Sequence, residues 1–432
     1  MFIWKSVLFK NFIQDFVKKF ITSRELKLIY ILKREKLMSK KSNREKIDKL
    51  FGLVALLLIF SAWIIGYNSN GENLDIHLKE LSPNAVKFEQ INSDIFSEYK
   101  NSKTPKYFIA RGESDGYGGK LVVLTKVDSA GTIINSLVVS HKETQAFFEK
   151  TISNELLESL NKKSYKDKFL INDDVDAVSG ATYTSRAITS AAGKAVRKIS
   201  REILKLETRA ETEPEIKFEI PIFILLALFV IAYLGAGGRF KNTNKIRWIV
   251  MISGLILIGF IFTRPISLAV INKFLLGYFP VWQTNIYWYV LLAGIFLSIF
   301  ISKKNLYCEW ICPFGAVQEC VGKIGGFNKP VPKKSKTFLI WIQRILALSV
   351  ILTALIYRNP NYFTFEIFGT FFQLVGSTLQ FSLMGLFLVT AIFINRPWCN
   401  VLCPVRPITD FTRMVRKSLD KTGTKKMSDQ NN

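Results

Sequence analysis

The chain has 432 residues, 49% of them hydrophobic and 35 of them Phe, yet 59 Lys and Arg stand against 34 Asp and Glu for a net charge of +25. Residues 68–219 hold 22 of the cations and 23 anions, so the surplus of positive charge lies around the apolar stretches. That is how cytoplasmic loops are charged under the positive-inside rule, and it argues for a membrane protein and against a nucleic-acid patch.

Residues 1–47 form a basic extension, running from MFIWKSVLFKNF to KREKLMSKK. Two readings stay open for it: an amphipathic helix lying on the inner leaflet, or a start placed too early, with Met38 opening an ordinary MSKKSNREKIDK leader. A membrane-crossing helix needs roughly 20 mostly apolar residues, and six candidates lie near 49–67, 219–237, 246–263, 283–301, 337–357 and 377–395. The first, an anchor within 48–67, follows the basic run Lys40 to Lys49 and lacks a small-residue cleavage site, which predicts an uncleaved anchor with a cytoplasmic start.

Six spans from an inside start put 68–218 outside, together with the connections 264–282 and 358–376. The inner segments 302–336 and 396–432 carry 7 and 8 cations, whereas the two outer connections show only Arg264, Lys273 and Arg358. Trp248, Trp310, Trp341 and Trp398 fall at the inner interface, and Trp282, Trp288 and Tyr357 at the outer one.

The external segment 68–218 reads as α+β. Strand patterns at 120–127 and 132–140 flank the turn Asp128-Ser-Ala-Gly131, and helical patterns follow near 145–160 and 184–206. Before the last helix stands Asp176-Ala-Val-Ser-Gly-Ala-Thr-Tyr-Thr184-Ser185. A helix start with free N–H groups and hydroxyls favours an anion such as phosphate, although Ser/Thr/Gly-rich loops serve equally as plain caps.

Residues 219–410 form the five-helix membrane domain, and 411–432 a basic cytoplasmic tail. All five cysteines lie in this half, which leaves the external domain without disulfides. Cys308-Glu-Trp-Ile-Cys312-Pro313 and Cys399-Asn-Val-Leu-Cys403-Pro404 match each other, each soon after an outside-to-inside helix. Cysteines four apart share a side of a helical turn, and the proline ends that turn, leaving the sulfurs open to a ligand at the inner face. Four thiolates suit a 4Fe–4S cluster or a structural zinc; Cys320 stands apart. Arg264-Pro265 precedes the fourth span and Arg358-Asn-Pro360 the sixth, so the cysteine elements belong to an internal repeat of two helices. The only histidines, His77 and His141, fall outside, which excludes a membrane-embedded bis-His haem.

The 176–184 segment resembles the covalent FMN-attachment motif D-x-x-S-G-A-T-x-T of the FMN-binding domain in flavin subunits of the Rnf complex and of the sodium-translocating NADH:quinone reductase. Gly116-Tyr-Gly-Gly119 and His141-Lys-Glu143-Thr144 are similar to two further elements of that domain. The resemblance implies FMN joined through its phosphate to Thr184 by a flavin transferase. Asp176, Ser179, Gly180, Ala181 and Thr182 fill the other motif positions, and His141, Glu143 and Thr144 shape the pocket.

Over about residues 48–410 the chain is similar to the NosR/NirI type of membrane flavo-iron–sulfur protein. It has a short basic tail where those chains carry a ferredoxin-like module, which brings it nearer in outline to the related protein of reductive-dehalogenation clusters. The resemblance favours iron–sulfur over zinc on Cys308, Cys312, Cys399 and Cys403.

The expectation is therefore a multi-pass protein of the bacterial cytoplasmic membrane, with an α-helical polytopic domain and an extracytoplasmic α+β FMN-binding domain. It would carry electrons between a cytoplasmic or quinol donor and an external acceptor, its partners being lipid, the flavin transferase and unidentified redox proteins. The alternative is a redox-sensing regulatory or maturation protein without net electron flow, and a third is a zinc-stabilised scaffold. One difficulty accompanies the first reading: a cluster at the inner face and an outer flavin are separated by a hydrocarbon core of about 30 Å, unless the flavin domain leans in or a quinone relays.

Overall fold

The computed structural model describes residues 23–68, 74–100, 104–209, 216, 218–326, 329–362 and 365–429. The early part of the basic extension, 1–22, lies outside the described residues. The chain divides into two compact units, Met1–Leu58 and Ile59–Asn432. Helix α1 (Ser23–Asn68) takes in both the remainder of the extension and the anchor.

In the second unit, α2 (Leu74–Leu81) leads into an antiparallel meander of β1 (Lys87–Asn92), β2 (Ile95–Tyr99), β3 (Tyr107–Asp115), β4 (Lys120–Val127) and β5 (Ile133–Ser140). The expected hairpin is present as β4 and β5, with Asp128 Oδ1 accepting the Ala130 and Thr132 N–H groups to close its turn. After α3 (Gln145–Ser153) and α4 (Leu156–Ser159), the long α5 (Thr182–Glu202) packs across β3 and β4. Its buried face is built from small residues, Ala187, Ala191, Ala192 and Ala195, beside Ile188 and Val196, so the helix lies close to the sheet and expels water along it.

The membrane domain comprises α6 (Ile220–Ala236), α7 (Thr243–Ser253, continued as a π-helix over Gly254–Ile261), α8 (Leu268–Leu275), α9 (Ile286–Ser302), a π-turn at Tyr307–Ile311, α10 (Pro313–Gly325), α11 (Lys333–Ile356), α12 (Phe368–Gln373), α13 (Thr378–Phe393), α14 (Pro397–Val401) and α15 (Val405–Asp429). All six predicted spans are helical. Three are long and apolar enough to cross a bilayer: Lys46–Asn68, Thr243–Ile261 and Ser335–Ile356. The other three, α6, α9 and α13, have only 17, 17 and 16 residues, short of the ~20 a full crossing takes. Leu226, Val230, Leu297, Leu386 and Val389 are exposed on them, an apolar surface suited to lipid.

The repeat is visible in the backbone. Thr263 and Arg358, each two residues before the repeat's proline, both have positive φ (50° and 47°), and each outer connection then forms a short helix, α8 or α12. The cysteine turns correspond as well: Cys312 N–H donates to Tyr307 O and Cys403 N–H to Trp398 O, both five residues back. At the first pair a π-turn replaces the α-helical turn expected for cysteines four apart, whereas Cys399 lies in the short helix α14.

Both cysteine turns pack closely against neighbouring helices. A Cβ on Gly254, in the middle of the α7 span, would stand 2.3 Å from the Ile311 carbonyl oxygen, so only glycine admits the first turn there. From that point α10 runs back along α7, with Glu319 paired to Arg247 and Lys323 over the Trp248 ring. Trp398, before Cys399, is fully buried against Phe387 of α13 at 5.1 Å between ring centroids. The first turn therefore rests on α7 and the second on α13.

Candidate functional site

Thr184 sits in the first turn of α5 and is 2% exposed. Its hydroxyl donates to Glu143 Oε2 at 2.7 Å, while Glu143 Oε1 accepts the Gly118 N–H at 3.1 Å. Burial raises the Glu143 carboxyl above the ordinary range, against the opposing pull of the Thr184 hydroxyl, the Gly118 amide and Lys273. The GYGG loop and the HKET segment thus meet at one carboxylate. A Cβ on Gly118 would fall 1.6 Å from the Lys142 carbonyl oxygen, which explains the glycine.

Both segments are clamped to the connections 264–282 and 358–376 of the helical domain. Lys273 Nζ donates to the carbonyls of Gly116 and Tyr117, each at 2.9 Å, and Tyr117 Oη lies 3.3 Å from Ser267 Oγ. Asn361 Nδ2 donates to Lys142 O at 2.6 Å, and Thr144 Oγ1 to Asn361 Oδ1 at 3.2 Å. The α+β domain therefore leans onto the helices, one of the two arrangements under which the distance problem disappears.

Between them lies a cavity of about 130 Å³ that opens to solvent on one side. Glu143, Thr144, Gly180, Ala181, Thr182 and Thr184 line one side, and Arg264, Trp288, Glu366, Phe368, Thr370 and Phe372 line the other. The cavity suits a flat aromatic ligand with a phosphate tail. Its apolar rings offer a stacking surface, the start of α5 offers N–H donors, and the buried Thr370 Oγ1 has no partner within the protein. Burial pushes the Glu366 carboxyl up to about 8, and it pushes the Lys273 ammonium down, with Glu143 opposing.

The motif does not gather completely. Asp176 and Ser179 line a separate hollow with Asn154, Glu155 and Ser159. His141 is absent from the cavity wall and stacks on Phe148 at 3.6 Å between centroids. The expected part for His141 in shaping the pocket is thus not seen, because its ring is taken up by packing.

The four paired cysteines converge. Burial first, then Cys312 and Cys399, raise the Cys308 thiol; burial, then Cys399, Cys308 and Cys312, raise Cys403; and Cys312 is pushed up to about 11 by burial and Cys399. Cys403 is buried, at 8% exposure, while Cys308, Cys312 and Cys399 are half-buried. Among the described residues no three His, Cys, Asp or Glu stand close enough to hold a single metal ion. A four-iron cube spreads its thiolates more widely than one tetrahedral zinc does, so the convergence fits the cube better. Gln318 Nε2 donates to Cys399 Sγ at 3.3 Å, and Arg396 donates to the Cys308 carbonyl. Cys320, on α10, is half-buried.

The cysteine turns and the cavity share a wall. Phe314, just after Cys312-Pro313, lies 5.7 Å from the Phe368 ring and 6.2 Å from Trp398, and Phe368 faces the cavity. The Tyr307 hydroxyl, beside Cys308, accepts the N–H of Ile266 at 3.1 Å, between cavity residues Pro265 and Ser267. A single aromatic layer separates the two places.

Residues 116–197 match the model of an FMN-binding domain, and residues 284–332 and 378–422 match that of a 4Fe-4S binding domain. The chain is 28% identical over 130 residues to one component of a proton-translocating ferredoxin:NAD(+) oxidoreductase complex from Clostridium ljungdahlii, covering 28% of this chain and 70% of that protein. It is 27% identical over 129 residues to YccM, a protein of Escherichia coli K12 named for electron transport, covering 27% of this chain and 36% of the other. The corresponding component of the Na(+)-translocating complex of Acetobacterium woodii is 23% identical over 112 residues, or 24% and 54% of the two chains. The chain is a membrane flavo-iron–sulfur protein. This flavo-iron–sulfur chain joins both matches in one polypeptide, and it spans a third to about half the length of the second and third relatives.

Sequence reasoning missed Arg247, Lys273, Glu319, Glu366 and Arg396 as site residues. The signal available for Arg396 was a lone arginine wedged between an apolar span and Pro397.

Proposed function

We propose that the protein carries electrons across the membrane between an iron–sulfur cluster on Cys308, Cys312, Cys399 and Cys403 and an FMN joined to Thr184. The observation that supports this most is the shared wall: cavity and cysteine turns are one aromatic layer apart, through Phe314, Phe368 and Trp398. No quinone is needed to bridge a full bilayer thickness between them.

Flavin and cluster supply the electron chemistry when bound. The chain's own part is placement and exclusion of water. Glu143 holds the Thr184 hydroxyl, Lys273 and Asn361 fix the flavin domain on the helices, and the buried rings keep the space between the sites dry. In this reading α1, α6, the α7 span, α9, α11 and α13 cross the bilayer, the α+β domain is extracytoplasmic, and Asp176 and Ser179 serve recognition of the chain by the flavin transferase. Relatives that belong to ferredoxin:NAD(+) oxidoreductase complexes support protein partners for electron supply and removal.

The test uses the purified full chain in sealed vesicles, with a membrane-impermeant reductant on one side and an impermeant dye on the other. Dye reduction that is lost in Cys399→Ser and in Thr184→Ala supports the proposal. A flavin that titrates while the dye is never reduced would instead favour a sensor, and zinc without iron or acid-labile sulfide would favour a scaffold.

A further inference from the structure

Arg396 occupies the left-handed region, with φ 48°, just before Pro397 in the second repeat. A non-glycine residue there costs on the order of 1 kcal/mol or more, so the side chain it aims is worth following. It reaches across to the first repeat. One terminal nitrogen donates to the Cys308 carbonyl, the other lies 3.5 Å from the Glu309 carbonyl and 3.9 Å from Met251 Sδ, and Nε stands 2.7 Å from Glu319. The Arg396 side chain is only 15% exposed and that of Glu319 only 12%.

Glu319 is shared. Arg247 grips the same carboxylate with both terminal nitrogens, at 3.0 and 2.6 Å. Two guanidiniums therefore face one carboxylate, and one positive charge is left over in a poorly solvated place. An uncompensated buried cation costs several kcal/mol, and the bond from Arg396 to the Cys308 carbonyl places this one against the first cysteine turn, on the same residue that leads into Cys399 of the second.

We infer that Arg396 is the counter-charge of the cysteine site, a positioning residue that ties the two repeats together and makes an anionic iron–sulfur group there easier to reduce. The inference rests on the cluster reading above. An electron added beside a fixed cation is stabilised by it, so removing the cation makes reduction harder. Removing the carboxylate that partly neutralises the cation makes reduction easier. Opposite signs from Arg396→Gln and Glu319→Gln are the signature, and general loosening of the turn would not produce them.

The experiment is a redox titration of the full chain in detergent, followed by electron paramagnetic resonance, with iron and acid-labile sulfide counted per chain. Arg396→Gln is expected to disfavour the reduced form at least about tenfold, a midpoint about 59 mV more negative for one electron. Arg396→Lys should recover most of that shift, and Glu319→Gln should move the midpoint positive. A midpoint unchanged in Arg396→Gln at full iron content overturns the inference while leaving the cluster reading intact. Should Arg396→Gln lose its iron, Arg396→Lys and Glu319→Gln still decide, and negative shifts in both refute the counter-charge. Wild-type protein lacking iron would sink the cluster reading and this inference together.

Discussion

Glu366 offers a test of the cavity that needs no cofactor. Its Oε1 accepts the Leu268 N–H at 2.6 Å and the carboxyl is buried in the cavity wall, which pushes its pKa from 4.5 up to about 8. A carboxyl raised in the folded state holds a proton that the unfolded chain has already released. Stability therefore falls as pH rises from the unfolded value toward about 8 and levels off beyond it. Each pH unit in that window is worth about 1.4 kcal/mol, so the loss between pH 5 and pH 8 is roughly 3 kcal/mol.

Glu366→Gln keeps an acceptor for Leu268 and removes the titration. The variant should thus gain on wild type by roughly 3 kcal/mol on going from pH 5 to pH 8, seen as a melting-temperature difference that grows by a few degrees. Lys273, lowered by burial, contributes stability that rises with pH as its own window below 10.5 is crossed, and this cancels in the comparison because both proteins carry it. A Glu366→Gln difference that is the same at both pH values would refute the assignment of a buried, protonated carboxylic acid at the cavity.

Three other outcomes are expected. With co-expressed flavin transferase, wild type should fluoresce as a flavoprotein on a denaturing gel, and Thr184→Ala should be dark while folding normally by circular dichroism. Cys308→Ser and Cys403→Ser should each lower bound iron to less than half of wild type, whereas Cys320→Ser should leave it unchanged, as metal analysis will check. Trp398→Ala should cost about 3–5 kcal/mol by emptying a fully buried site, and Trp398→Phe distinctly less, measured as the fall in melting temperature.

The α+β domain was legible because its signals are local. The strand-like runs at 120–127 and 132–140, the Asp128 turn and the helical pattern near 184–206 each determine their neighbourhood without help from distant chain. The meeting of Glu143 with Thr184 was readable only through the family motif, since 41 residues separate them. Lys273 and Glu366 looked like ordinary loop charges, because nothing in a hydropathy profile tells a loop that clamps another domain from one that faces water.

The packing of the cysteine turns against the helices was illegible for a different physical reason. Hydropathy counts apolar residues along the chain, and the segments after α9 and α13 carry enough charge, such as Lys303, Lys304 and Arg396, to look like surface loops. What ties them to the helices is pairing in three dimensions. Glu319 pairs with both Arg396 and Arg247, and Lys304 Nζ reaches the Ala236 carbonyl at the end of α6. Each repeat brings in one cysteine pair, and the Arg396 bond to the Cys308 carbonyl crosses from the second repeat to the first. A half-site alone would leave Arg396 without Glu319 and the Cys308 carbonyl without Arg396, so it is the pairing of the two repeats that holds the cysteine turns together, one aromatic layer from the cavity wall.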